Sequence, residues 1–174
     1  VVQVIKDPIG TKGARLTTHI TLPSRFLVFL ADSDVAGVSV KIDGERERQR
    51  LKEMVNAFRT EFGGGYIVRT AAEGAESWAL RADMQFLQRL WGSIRERIRE
   101  TSSVGALYED LPLVLRVLRD FIGDSVEKVR IDSRETCQRM LAFADKFVPE
   151  MGPRLEHYPG ERPIFELYGI EDEI

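Results

Sequence analysis

Cysteine is nearly missing: Cys137 is the one cysteine in 174 residues. No internal disulfide can form, which fits a reducing compartment, and the expected location is cytoplasmic. Histidine is scarce too. His19 and His157 have no neighbouring ligand at metal spacing, so no zinc site is expected within this chain. Long apolar runs are absent. No stretch of about 18 apolar residues occurs, so no membrane-spanning segment is expected. There is no Walker A loop and no G-x-S-x-G elbow. Internal repeats and low-complexity tracts are also missing. An excess of positive charge is lacking: the net charge is −3, which argues against a general polyanion binder. The chain starts without methionine or a basic leader, on strand-like Val1-Val2-Gln3-Val4-Ile5. It stops on Glu171-Asp172-Glu173-Ile174, which reads as the start of a helix. Both ends read as cut, so a piece of a longer protein is expected.

What remains is ordinary globular composition, 43% hydrophobic and 30% charged, enough to bury a core. The charge is uneven. Residues 1–74 hold 11 Lys/Arg and 9 Asp/Glu, and residues 75–174 hold 14 and 19. Any nucleic-acid contact is therefore expected in the first half or at a few placed arginines.

One stretch organises the chain: Gly63-Gly64-Gly65-Tyr66-Ile67-Val68-Arg69-Thr70-Ala71-Ala72-Glu73-Gly74. A glycine turn feeds a short apolar strand. The strand ends in Arg69 and Thr70, beside a second turn and an oncoming helix. An arginine fork, a hydroxyl and a helix N-terminus can together grip a phosphate. Read alone, the signal is weak, because most Arg-Thr pairs at strand ends are solvated turn residues.

The fold class expected is α+β: a small mixed or antiparallel sheet with two helices, followed by an αβα segment. Strands are read at residues 1–6, 16–21, 26–30, 37–41 and 66–69. Residues 45–62 read as a helix with one stripe of Leu51, Met54, Val55, Phe58 and Phe62. Its first turns mix glutamates with Arg46, Arg48, Arg50 and Lys52, the pattern of a solvated face. Residues 76–100 read as the longest helix. Its seam of Leu80, Met84, Leu87, Trp91, Ile94 and Ile98 serves to pack over the sheet or to meet a partner helix.

Residues 101–105 form a polar linker and a candidate domain boundary. Beyond it, residues 106–109 read as a strand. Pro112 opens a helix with an apolar face of Leu113, Val114, Val117, Leu118 and Phe121, ended by Gly123. Residues 126–131 read as a strand. Asp132 reads as the cap of a helix to Phe147, with Glu135 three residues on, and Pro149 stops it. Residues 155–158 read as a strand. Residues 163–168 read as a helical turn with Ile164, Phe165 and Leu167 inward. Asp132 also stands where ribonuclease H folds keep a metal carboxylate, but no second Asp is placed to complete such a site. No catalytic machinery is visible in this chain.

The run Gln3-Val4-Ile5-Lys6-Asp7-Pro8-Ile9-Gly10-Thr11-Lys12-Gly13-Ala14-Arg15-Leu16-Thr17-Thr18 resembles the bacterial ribonuclease E/G family of endoribonucleases. The likeness continues through Leu22-Pro23-Ser24-Arg25-Phe26-Leu27-Val28-Phe29 and Ile67-Val68-Arg69-Thr70-Ala71-Ala72-Glu73-Gly74. It resumes at Val117-Leu118-Arg119-Asp120-Phe121, Arg130-Ile131-Asp132-Ser133 and Leu155-Glu156-His157-Tyr158-Pro159-Gly160-Glu161-Arg162-Pro163-Ile164-Phe165. It covers essentially the whole chain, and Pro23-Ser24-Arg25 is more similar to the ribonuclease G branch.

The resemblance implies that residues 1–15 end an S1 (OB-fold) domain, that 16–103 form a 5′-sensor domain, and that 104–174 are part of a ribonuclease H-like domain. It implies a 5′-monophosphate pocket at Arg69 and Thr70, with Val28 under the terminal base. It implies a phosphate contact at Ser24, where the ribonuclease E branch uses a glycine backbone. It further suggests Lys12 and Arg15 as RNA-backbone contacts. Single-stranded RNA with a 5′-monophosphate is the implied partner, and the parent is an implied homo-oligomer. Mg²⁺ would serve the parent enzyme and Zn²⁺ its oligomer interface, with ligands outside this chain and none bound by it.

Two further readings compete. One is a scaffold whose helical seam packs on neighbouring domains or a second subunit. The other is an Arg69 that packs its stem and pairs with Glu73. An exposed seam would favour the scaffold, and a buried one would make it core.

Overall fold

In the computed structural model, which describes residues 1–120 and 126–174, the chain is mixed α and β and falls into two units, Val1–Glu109 and Asp110–Ile174. The first unit begins with a hairpin of β1 (Gln3–Lys6) and antiparallel β2 (Arg15–Thr17). Its central sheet has four strands: β3 (Thr21–Pro23), β4 (Leu27–Leu30), β5 (Ala36–Val38) and β6 (Gly65–Val68). The order is β3-β4-β6-β5, antiparallel except for the parallel β5·β6 pair. Helices α1 (Glu45–Phe62) and α2 (Ser77–Glu100) complete the unit.

Alternation along the strands decides which face is covered. Leu27 and Phe29 of β4 pair with Val68 and Tyr66 of β6, and all four are buried. Both helices pack on this face, α2 on β3 and β4, α1 on β5 and β6. The seam of α2 is core: Leu80, Met84, Leu87 and Ile94 are buried within the unit, and Trp91 meets Phe29 with ring centroids 6.0 Å apart. The opposite face carries Val28 and Ile67 side by side and stays open, with Ile67 38% exposed.

The turn into β6 needs glycine. Gly63 and Gly64 have φ of 69° and 78°. A Cβ on Gly64 would stand 2.5 Å from Cε2 of Phe29.

In the second unit, α3 (Leu113–Asp120) precedes β7 (Val129–Ile131), α4 (Arg134–Phe147), β8 (Leu155–His157) and α5 (Ile164–Leu167). β7 and β8 are parallel, joined through α4. Ile131, Met140, Phe143, Ala144, Met151 and Leu155 form the core around them.

Several expectations are corrected. Residues 16–21 are not one strand. Thr17 pairs with Gln3 and Thr21 with Leu30, so the β-branched run is divided between two sheets. Residues 106–109 form no strand. Ser133, not Asp132, caps α4: its hydroxyl accepts from Thr136 N at 3.2 Å, while Asp132 accepts from Ser133 N. Phe165 and Leu167 face solvent rather than inward, because a single helical turn has too little sheet to lie on. On α3, Leu113 is 75% exposed and only Leu118 of the expected apolar face is buried. Phe121 and Gly123, expected on and at the end of that helix, lie outside the described residues.

Candidate functional site

The two residues singled out at the strand end sit at the mouth of the open sheet face. Arg69 follows the last residue of β6, and Thr70 starts a single 3₁₀ turn, Thr70–Ala72. Both are exposed. Arg69 continues the pairing of β6 with β4, its N–H donating to Phe26 O at 2.8 Å. By the two-residue alternation its side chain falls on the face of Ile67 and Val28. Its guanidinium Nη1 donates to the carbonyl of Ser24, in the turn between β3 and β4. Among the described residues it forms no ion pair, with Glu73 or otherwise. A guanidinium has five N–H donors in a planar fork, so most remain for a ligand. The Thr70 hydroxyl likewise has no hydrogen bond within the described residues.

Ser24 is completely buried. Its N–H donates to Leu27 O at 2.8 Å. Its hydroxyl points inward and donates to Oδ2 of Asp83 on α2. What Ser24 turns outward is its carbonyl, toward Arg69. Beside it, the Arg25 guanidinium lies 4.7 Å from the centroid of the Phe26 ring.

Val28 is half-buried, between Pro23 on β3 and Ile67 on β6 in the sheet register. Pro23, Val28 and Ile67 form an apolar row on the open face, next to the Arg69 guanidinium. A flat apolar row beside a cationic fork suits a base attached to a phosphate. Lys12 and Arg15 are not part of this arrangement. They lie on the β1–β2 hairpin, Lys12 bridged to Ile9 and Arg15 paired with Lys6, both exposed. A groove of about 230 Å³ opens on α1 and β5, lined by Ala36, Val38, Arg48, Gln49 and Lys52. Gly37 and Glu45 line it as well, and its Arg48 is paired with that Glu45.

Two supports were not legible as such. The first is Asp83, 4% exposed, whose Oδ2 accepts from Ser24 Oγ and from the N–H groups of Phe26 and Leu27, the latter two at 2.9 Å each. A signal was present: Asp83 stands three residues after Leu80 and four before Leu87, on the apolar stripe of α2. A carboxylate there must be bonded or costly. The second support is part of the charged run of α1. Glu47 accepts from Arg50 at 2.6 and 2.7 Å and from Gly74 N at 2.9 Å, and Arg50 donates to Ala75 O at 3.1 and 3.2 Å. Arg50, and after it the Gly74 N–H, hold the Glu47 carboxyl down at about 2. This pair clamps the loop that follows Thr70. The run reads as solvated because its partners are backbone atoms far along the chain.

Among the described residues no three His, Cys, Asp or Glu side chains form a metal-binding group, and no helix is long and apolar enough to cross a membrane. What the Arg69 fork offers is recognition, by charge-assisted hydrogen bonds beside an apolar row.

Comparison with known proteins gives a consistent picture. Residues 21–174 match the family described as the Ribonuclease E/G family. The chain is 49% identical over 173 residues to Ribonuclease G of Escherichia coli (strain K12), covering 99% of this chain and 35% of that protein. It is 49% identical over 174 residues to Ribonuclease G of Haemophilus influenzae, covering 100% and 35%. To Ribonuclease E of Nostoc sp. (strain PCC 7120) it is 34% identical over 176 residues, covering 99% and 26%. The chain thus spans about a third of the length of the ribonuclease G relatives it matches.

Proposed function

This chain belongs to the ribonuclease E/G family, on its ribonuclease G-like side, and from that premise we propose that it is the RNA-end-binding, non-catalytic portion of a longer endoribonuclease. Residues 16–103 act as the 5′-sensor. They bind the 5′-monophosphate of single-stranded RNA through Arg69 and Thr70, with the terminal base on Val28. Residues 1–15 close an S1 domain, and 104–174 belong to a ribonuclease H-like domain. Lys12 and Arg15 follow the RNA backbone from the hairpin. The longer protein works in the cytoplasm as a homo-oligomer and carries the hydrolytic site, where Mg²⁺ supplies Lewis-acid chemistry. Among the described residues no cluster of His, Cys, Asp or Glu stands ready to hold that ion.

One observation supports this reading above the others. The Arg69 fork is tethered through a single N–H to Ser24 and keeps its remaining donors beside the exposed Thr70 and the open apolar row. A charge-assisted contact of this kind contributes roughly 1.5–3 kcal/mol, about a ten- to hundredfold preference for a phosphate over a hydroxyl. The phosphate contact expected at Ser24 is not part of this reading: its N–H is bonded to Leu27 O and its hydroxyl to Asp83, so this buried residue acts through its carbonyl on Arg69. The scaffold reading is weaker, because the seam that would have served a partner is filled by the unit's own sheet.

Cleavage tests the proposal. The longer protein is given two RNAs that differ only in a 5′-monophosphate or 5′-hydroxyl. The wild type should cut the phosphorylated RNA about tenfold faster or more, and Arg69→Ala should bring the two rates together. Equal rates in the wild type would refute the sensing role.

A further inference from the structure

One turn of the chain converges on the carboxylate of Asp83. Its Oδ2 gathers the Ser24 hydroxyl, the Phe26 N–H and the Leu27 N–H. Those residues carry both atoms on which Arg69 leans: the Ser24 carbonyl takes the guanidinium, and the Phe26 carbonyl takes the Arg69 N–H. The Ser24–Arg25 peptide plane lies between the two sets of bonds. Rotating it would turn the Ser24 carbonyl away from Arg69. Asp83 prevents that by fixing the hydroxyl on one side of the plane and two amides on the other, while Ser24 N is held by Leu27 O. A buried carboxylate costs several kcal/mol unless it is bonded this fully. An apolar residue would serve a merely packed helix face better.

We propose that Asp83 is a positioning residue for the phosphate pocket: through the Ser24–Leu27 turn it sets the direction of the Arg69 fork. The proposal rests on the reading of Arg69 as the phosphate ligand. It adds that the affinity of the pocket is set from α2, on the far face of the sheet. Ser24 joins the same chain of bonds, so its hydroxyl acts inward on Asp83 and its carbonyl acts outward on Arg69.

The test is equilibrium binding of the 5′-monophosphate and 5′-hydroxyl RNAs by the longer protein, read by fluorescence anisotropy at one salt concentration. The ratio of the two affinities is the readout, because a loss of folded protein scales both alike and leaves the ratio unmoved. Asp83→Ala should lower the ratio by about tenfold, close to that of Arg69→Ala. The double variant should fall no further, since both act through one contact. Asp83→Asn keeps an acceptor oxygen and should recover part of the ratio. If Asp83→Ala does not fold, Asp83→Asn and Ser24→Ala decide, each with a lowered ratio. An unchanged ratio in the folded Asp83 variants, with Arg69→Ala still lowering it, would overturn the positioning role alone. A wild-type ratio of one would overturn the phosphate reading beneath it.

Discussion

Replacing Gly64 with alanine should damage the first unit far more than the same change at Gly63. Both glycines have positive φ, 69° at Gly63 and 78° at Gly64, where an L side chain costs about 1–2 kcal/mol. Only Gly64 faces a second penalty. Its new Cβ would lie 2.5 Å from Phe29 Cε2 and 3.2 Å from Cζ, whereas nothing stands within 4 Å at Gly63. Phe29 has little room to retreat: it is buried, with its ring 5.4 Å from Tyr66 and 6.0 Å from Trp91. Forced repacking of this kind costs about 1–3 kcal/mol. Urea unfolding followed by tryptophan fluorescence reports on this unit, since Trp78 and Trp91 both lie in it. Gly64→Ala should be less stable than Gly63→Ala by about 1–3 kcal/mol, at similar m-values. Equal midpoints for the two variants would refute the packing of the glycine turn on Phe29, and with it the registration of β6 that places Arg69.

The Glu47 clamp predicts a pH effect. Its carboxyl is lowered from 4.5 to about 2 in the folded state, so its contribution is complete above about pH 4.5 and is lost as pH falls toward 2. Glu47→Gln should flatten the stability curve across that window, and a curve of unchanged slope would show that Gly74 is not held this way. For Lys12 and Arg15, binding measured at several salt concentrations separates phosphate contacts from bystanders. Each alanine variant should lower the slope of log affinity against log salt by about 0.7, equally for both RNA ends, and an unchanged slope removes that residue from the interface.

Local periodicity carried much of the fold. The stripe of Leu51, Val55 and Phe58 placed α1, and the seam from Leu80 to Ile94 placed α2 over the sheet, because each pattern states which side of a helix is apolar. Pairing was harder to read. Nothing in residues 16–21 says that Thr17 belongs to Gln3 and Thr21 to Leu30, since strand propensity is blind to the partner. Short elements failed for the opposite reason. Phe165 and Leu167 look like core residues by type, but a one-turn helix cannot shield both.

The site shows the same division. Arg69 and Thr70 stood out because an arginine and a hydroxyl at a strand end have recognisable chemistry. The resemblance to the family added Val28 and Ser24. Asp83 and Glu47 were hidden, as their partners are main-chain N–H groups 56–57 and 27 residues away. A carboxylate within an apolar seam is a mark that could have found the first.

The central claim is that Arg69 reads the 5′-phosphate of RNA, and the most direct measurement is a single affinity ratio. Short single-stranded RNAs, identical but for a 5′-monophosphate or 5′-hydroxyl, are titrated against the longer protein at fixed salt. A ratio of about ten to a hundred in favour of the phosphate, falling to near one in Arg69→Ala, is predicted. Equal affinities in the wild type would contradict the claim.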